Sequence, residues 1–114
     1  MRLVRCYINP DKLTPLKEAL VGLGVVSGIS AKEVMGIGKP MGQRRFREEG
    51  GSLPKFNSMT QVDMVLEAKH AEELIDTVVN VCRTGALSDG KIFVLPVEKA
   101  VRIRTGERNR QALY

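Results

Sequence analysis

Tryptophan is absent from this chain, and three Phe and two Tyr are its only aromatic residues. Ferredoxin-like RNA-binding domains stack bases on aromatic side chains of their central strands. Two of the three Phe, Phe46 and Phe56, fall outside the strand patterns described below, and no aromatic cluster marks the strands. Cysteine is equally scarce. Cys6 and Cys82 lie far apart and make no metal-ligand spacing, so they read as two buried thiols. The single His70 sits at the start of a predicted helix and reads as a solvated end residue. No His/Cys/Asp constellation suits a metal, and no nucleophile is paired with a base. No apolar run approaches the about 18 residues of a membrane span. The opening Met1-Arg2-Leu3-Val4-Arg5-Cys6 carries charges inside its apolar stretch. It reads as a strand and not as a signal peptide, which predicts a cytoplasmic protein.

What is present fits one domain over residues 1–114. Apolar residues make up 43% of the chain, enough for a modest core. The net charge of +5 and the pI near 9.5 admit nucleic acid, acidic lipid or nucleotide as partners.

Along the chain, residues 2–8 alternate loosely as a strand, and Asn9-Pro10-Asp11 ends it. Thr14 is placed to cap a helix with Pro15 at its first position. Leu13, Leu16, Leu20 and Leu23 form its apolar stripe, and Gly22 and Gly24 help to end it. A second strand is predicted over 28–35 and a third over 59–67, where Val62, Met64 and Leu66 alternate with Asp63 and Glu67. Between them, residues 36–58 lack periodicity and are rich in Gly and charge. A loop of about 20 residues inside a small domain is usually functional or disordered. A second helix over 70–84 buries Leu74, Val78, Val81 and Cys82 and stops at Gly85. A fourth strand spans 91–97. The order is β-α-β-β-α-β, which predicts an α+β, ferredoxin-like fold.

The residues with the most chemistry come last. Asp89-Gly90-Lys91 form a turn that opens the fourth strand, and Arg102-Ile103-Arg104 follow it. On a strand, Arg102 and Arg104 would share a face and aim two guanidinium forks at one anion. Lys91 adds a point charge, and the turn offers backbone N–H groups. The pattern suits phosphate. It equally suits a surface strand paired with acids such as Glu98 and Glu107. Gly36-Ile37-Gly38-Lys39-Pro40-Met41-Gly42 has the wrong spacing for a dinucleotide fingerprint, and no helix follows it.

The stretch Thr84-Gly85-Ala86-Leu87-Ser88-Asp89-Gly90-Lys91-Ile92-Phe93-Val94, with Arg102-Ile103-Arg104-Thr105-Gly106-Glu107, resembles the C-terminal half of the PII signalling proteins. The resemblance runs through the chain to about residue 107 and fails at roughly 39–58. It implies a homotrimer with ATP, ADP or AMP bound between neighbouring subunits. It also implies a long regulatory loop at about 37–58 and a C-terminal segment at about 98–114. By resemblance, Asp89, Gly90, Lys91, Arg102 and Arg104 hold phosphates, and Gly38 and Lys39 approach the nucleotide. Ser30 matches a nucleotide-contacting Thr, Asp63 a Glu near adenine, and Val65 lies beside it. Ser88 stands where the family usually has Gly, and a positive φ there would be strained.

The loop departs from the family pattern. The only tyrosines are Tyr7 and Tyr114, so the uridylylated loop Tyr is missing. The Gln that helps hold magnesium and 2-oxoglutarate falls at Pro40, and Leu53-Pro54-Lys55 arrives about three residues early. These departures count against a 2-oxoglutarate site. In its place Gln43-Arg44-Arg45-Phe46-Arg47-Glu48-Glu49-Gly50-Gly51 offers arginines and one Phe, as interface anchors do. The alternative is a solvated charged loop. The resemblance implies a non-enzymatic regulator whose residues 39–58 bind a transporter or enzyme of nitrogen or inorganic-carbon metabolism. Bicarbonate is a candidate second anion. Two other readings stand beside it: a small phosphate-handling enzyme, and a basic nucleic-acid-binding module, the latter not expected.

Overall fold

Alternating apolar residues in four segments build one antiparallel sheet, and two amphipathic helices cover one of its faces. The structure, a computed structural model, describes residues 1–37 and 56–114. Its strands are β1 (Arg2–Ile8), β2 (Ser30–Gly36), β3 (Asn57–Leu66) and β4 (Lys91–Pro96). Its helices are α1 (Leu13–Leu23) and α2 (Ala71–Cys82), each entered through a short 3-10 turn. The sheet order is β2-β3-β1-β4, the ferredoxin-like arrangement. The chain therefore has the predicted α+β fold.

Register divides the strands cleanly between two faces. Val4, Cys6 and Ile8 lie opposite Met64, Val62 and Thr60, on the helix side. With Leu16, Leu20, Leu66, Leu74, Val78 and Cys82 they form the buried core. Burying one such aliphatic side chain contributes about 1.5–3 kcal/mol. Leu3, Arg5 and Tyr7 point to the open face, opposite Val65, Asp63 and Gln61 on β3 and Leu95, Phe93 and Lys91 on β4. Of these, Phe93 and Leu95 stay exposed at 49% and 39%.

Several boundaries move for local reasons. α1 starts at Leu13, after the turn Pro10–Lys12, so Thr14 is not its cap and Pro15 is its third residue. The missing Pro N–H still falls in the first turn, where no intrahelical partner exists. Gly22 lies inside α1, and Gly24, at φ 71, ends it with its N–H on the Leu20 carbonyl. α2 ends at Cys82, with Arg83 extended beyond it, rather than at 84. β3 begins at Asn57, two residues inside the loop expected to reach 58.

The largest difference follows β4. Residues 102–104 are not a strand. The chain folds back as a hairpin, with Val101 bridged to Arg108 and Asn109 N–H on the Ala100 carbonyl at 2.7 Å. Its tip is 103–105, and Gly106 takes φ 72. Arg104 sits in that turn, so the i, i+2 argument for a shared face does not apply.

Candidate functional site

The turn from 84 to 90 is built around one carboxylate. Asp89 Oδ2 accepts the backbone N–H groups of Thr84 at 2.7 Å and Gly85 at 2.8 Å. Its Oδ1 accepts the Thr84 hydroxyl. The Thr84 hydroxyl bond, then the backbone N–H bonds, hold the Asp89 carboxyl below its ordinary range. Asp89 is thus committed to the turn. Its carboxylate shapes the backbone of the turn beside it.

Gly90 is fixed by close approach. It sits at φ +98, and a Cβ there would lie 1.7 Å from the Tyr7 carbonyl oxygen. Only Gly fits. Ser88 lies outside the left-handed region: among the described residues other than Gly, only Asn109 has positive φ. The strain expected at Ser88 does not arise. Lys91 then opens β4 on the open face, opposite Tyr7.

Ser88, Gly90 and Lys91 line a cavity of about 450 Å³. Its walls include Tyr7, Gly36, Ile37, Ser88, Gly90 and Lys91. Ile37 is the last described residue before 38–55, so the cavity lies where the long connection leaves the sheet. Gly38 and Lys39 lie outside the described residues, as do the loop positions 40–55.

The remaining predicted residues lie elsewhere. Ser30 pairs with Asp63 across β2 and β3. Asp63 is held by Arg5, with Nε to Oδ1 at 2.9 Å and Nη2 to Oδ2 at 3.0 Å. Gln61 adds a weaker contact at 3.4 Å. The Arg5 hydrogen bond is the main cause that lowers the Asp63 carboxyl. Val65 lies one row further, opposite Leu3. Arg102 donates through Nη1 to Glu107 Oε1 at 3.1 Å and through Nη2 to the Gln111 carbonyl at 3.2 Å. The acidic pairing with Glu107 is therefore present. Arg104 is exposed at the hairpin tip.

One chain does not bring the two halves of the predicted phosphate grip together. Gly90 and Lys91 stand at the start of β4, whereas Arg102 follows its end. Lys91 to Pro96 spans about 17 Å of strand. Beyond it, Val97 N–H continues along the sheet edge to the Met1 carbonyl.

Sequence reasoning missed three features. It gave Asp89 no part in holding the turn itself, although Thr-Gly followed by Asp marks a side-chain-capped turn. It did not pair Arg5 with Asp63, which only strand register reveals. It also gave no role to Glu67, whose partners come from the chain end.

No group of three or more His, Cys, Asp or Glu suited to a metal occurs among the described residues. Burial, its main cause, pushes the Cys6 thiol up to about 12, and Cys82 moves the same way. No helix among the described residues is long and apolar enough to cross a membrane.

Comparison with known proteins settles the family. The sequence model for Nitrogen regulatory protein P-II matches residues 1–107. A Nitrogen regulatory protein P-II of Microchaete diplosiphon is 39% identical over 113 residues, covering 99% of this chain and all of the relative. Those of Nostoc punctiforme and Azospirillum brasilense are 37% and 35% identical with the same coverage. A capped Asp89 turn, a Gly90 that admits no side chain and a ferredoxin-like sheet accompany that match, and the chain belongs to the Nitrogen regulatory protein P-II family.

Proposed function

We propose that this protein is a homotrimeric, non-enzymatic regulator that senses adenine nucleotide. It uses residues 39–58 to control a transporter or metabolic enzyme. The observation that carries this reading is the separation of Lys91 from Arg102. Two cationic half-sites, one at the start of β4 and one beyond its end, serve one phosphate chain only if two copies meet. Gly90 and Lys91 come from one copy, with Gly38 and Lys39. Arg102 and Arg104 come from its neighbour, with Ser30, Asp63 and Val65. The exposed Phe93 and Leu95 on the open sheet face favour such a meeting, because copies packed on that face would remove them from water.

ATP, ADP or AMP bound there reports to the loop, because the cavity holding Gly90 and Lys91 also contains Gly36 and Ile37 at its base. A ligand moves a loop only if it binds two loop states unequally. A large shift requires several kcal/mol of differential affinity. Charge-assisted hydrogen bonds of about 1.5–3 kcal/mol each supply that. The name of the relatives points to nitrogen metabolism, with inorganic carbon as the other setting. A second small anion, bicarbonate or 2-oxoglutarate, would engage the loop arginines. The reading places the protein in the cytoplasm.

Titration calorimetry with ATP, ADP and AMP tests the reading, with an Arg102→Ala/Arg104→Ala control. At least one nucleotide should bind saturably and be lost in the control. Mixing tests the shared site. Lys91→Ala and Arg102→Ala proteins should each bind weakly. Unfolded and refolded together, they should regain about a quarter of the sites, since one interface then combines both intact halves. No binding by the unmodified protein, or no recovery on mixing, sinks this reading. Nucleotide turnover abolished by Arg102→Ala would favour an enzyme. Salt-sensitive oligonucleotide binding that ADP does not compete would favour a nucleic-acid module.

A further inference from the structure

We infer that residues 109–114 form a strap, anchored on Glu67, that competes with nucleotide phosphate for Arg102. The inference rests on the nucleotide reading above and adds a regulatory element to that site.

The strap is tied at each end and in the middle. Asn109, at φ 57, starts it, with its backbone N–H on the Ala100 carbonyl. Residues Asn109–Leu113 then wind as a 3-10 turn. Both oxygens of Glu67 are taken by this segment. Tyr114 Oη donates to Oε2 at 2.6 Å, and Arg110 Nε pairs with Oε1 at 2.9 Å. The Glu67 side chain is only 18% exposed, with Lys69 Nζ and His70 Nε2 each 4.0 Å away. Ser27, three residues before Ser30, donates its hydroxyl to the Leu113 carbonyl. The strap thus reaches from the hairpin to the loop ahead of β2, across the half of the site that holds Arg102 and Ser30.

Its effect on Arg102 is chemical. A guanidinium grips phosphate best with two N–H groups aimed at one anion. Here Nη1 is turned to Glu107 and Nη2 to the Gln111 carbonyl, which belongs to the strap. Phosphate must displace the second contact before the fork can close on it. A closed strap therefore lowers apparent nucleotide affinity by the fraction of molecules in which it is open.

The test uses the full chain and two readouts. Arg110→Ala/Tyr114→Phe cuts the anchor from the strap side, and Glu67→Ala cuts it from the other. Carboxypeptidase removal of the last residues reads the strap itself, without nucleotide. It should be about ten-fold faster in both variants if the strap is closed in the unmodified protein. Calorimetry with ATP reads the coupling, and Kd should fall about five-fold. Unchanged digestion overturns the strap. Fast digestion with unchanged or weaker ATP binding overturns the competition and makes the tail part of the site. If neither the unmodified protein nor the variants bind ATP, the nucleotide reading fails and the competition with it. The digestion result then still decides whether the strap exists.

Discussion

The two ends of β4 are organised by different physics. At its start, the 84–91 turn is held by Asp89, which caps residues four and five before it, and by the close seat of Gly90 on the distant Tyr7 backbone. At its end, the hairpin and tail are held by charges from distant segments, Glu67 with Arg110 and Tyr114 chief among them. The first end is a fixed frame. The second is held by exposed ion pairs and hydrogen bonds, which are individually weak and screened by salt. In the proposed sensor, joining one end of each copy to the other end of its neighbour would set a rigid half against an adjustable one.

The sharpest way to break this contrast is Gly90→Ala. Its Cβ would collide with the Tyr7 carbonyl, and its φ is unfavourable to any L side chain. A loss of about 2–5 kcal/mol is expected in urea unfolding. A loss under about 0.5 kcal/mol would mean that the frame is not rigid. Separation of the phosphate halves is tested by the mixing experiment above, where each single substitution should cost at least about ten-fold in ATP affinity.

Asp89→Ala comes next. It removes three hydrogen bonds from the turn, and about ten-fold weaker ATP binding is expected from misplaced N–H groups. Asp89→Asn retains an acceptor and should recover part of it. Equal loss in both would show that the charge, not the turn, matters.

The strap variants follow, with about five-fold tighter ATP binding. They sharpen the contrast, because no change at the fixed end should tighten binding.

The smallest effect is expected from Arg5→Ala, which unpairs Asp63. A Tm loss of about 1–3 °C is expected at pH 7. The Asp63 carboxyl is held below its ordinary range by Arg5, so the pair's contribution is complete above about pH 4. It is lost as pH falls through the lower folded value. The difference in Tm between unmodified protein and Arg5→Ala should therefore shrink on acidification. A difference that grows toward pH 3 would contradict the pairing.

Much of the fold was legible in order and pattern. β1 falls at 2–8 as read, and both apolar helix stripes face the core, because period and burial are local properties of the chain. The helix starts were less legible. At α1, the turn at Pro10–Lys12 supplies an entry that the Thr14-Pro15 signal did not anticipate. The hairpin at 100–109 was missed because Arg102-Ile103-Arg104 alternates like a strand, whereas its tip falls at 103–105 with Gly106 at positive φ just after it.

The sequence by itself determined the element order and the two-faced strands. Each depends on side chains within a few residues of one another. Only the tertiary structure decided that Arg5 would take Asp63, that the chain end would reach Glu67, and that Lys91 and Arg102 would stand at opposite ends of one strand. Those facts follow from strand register and chain return, which join residues dozens of positions apart.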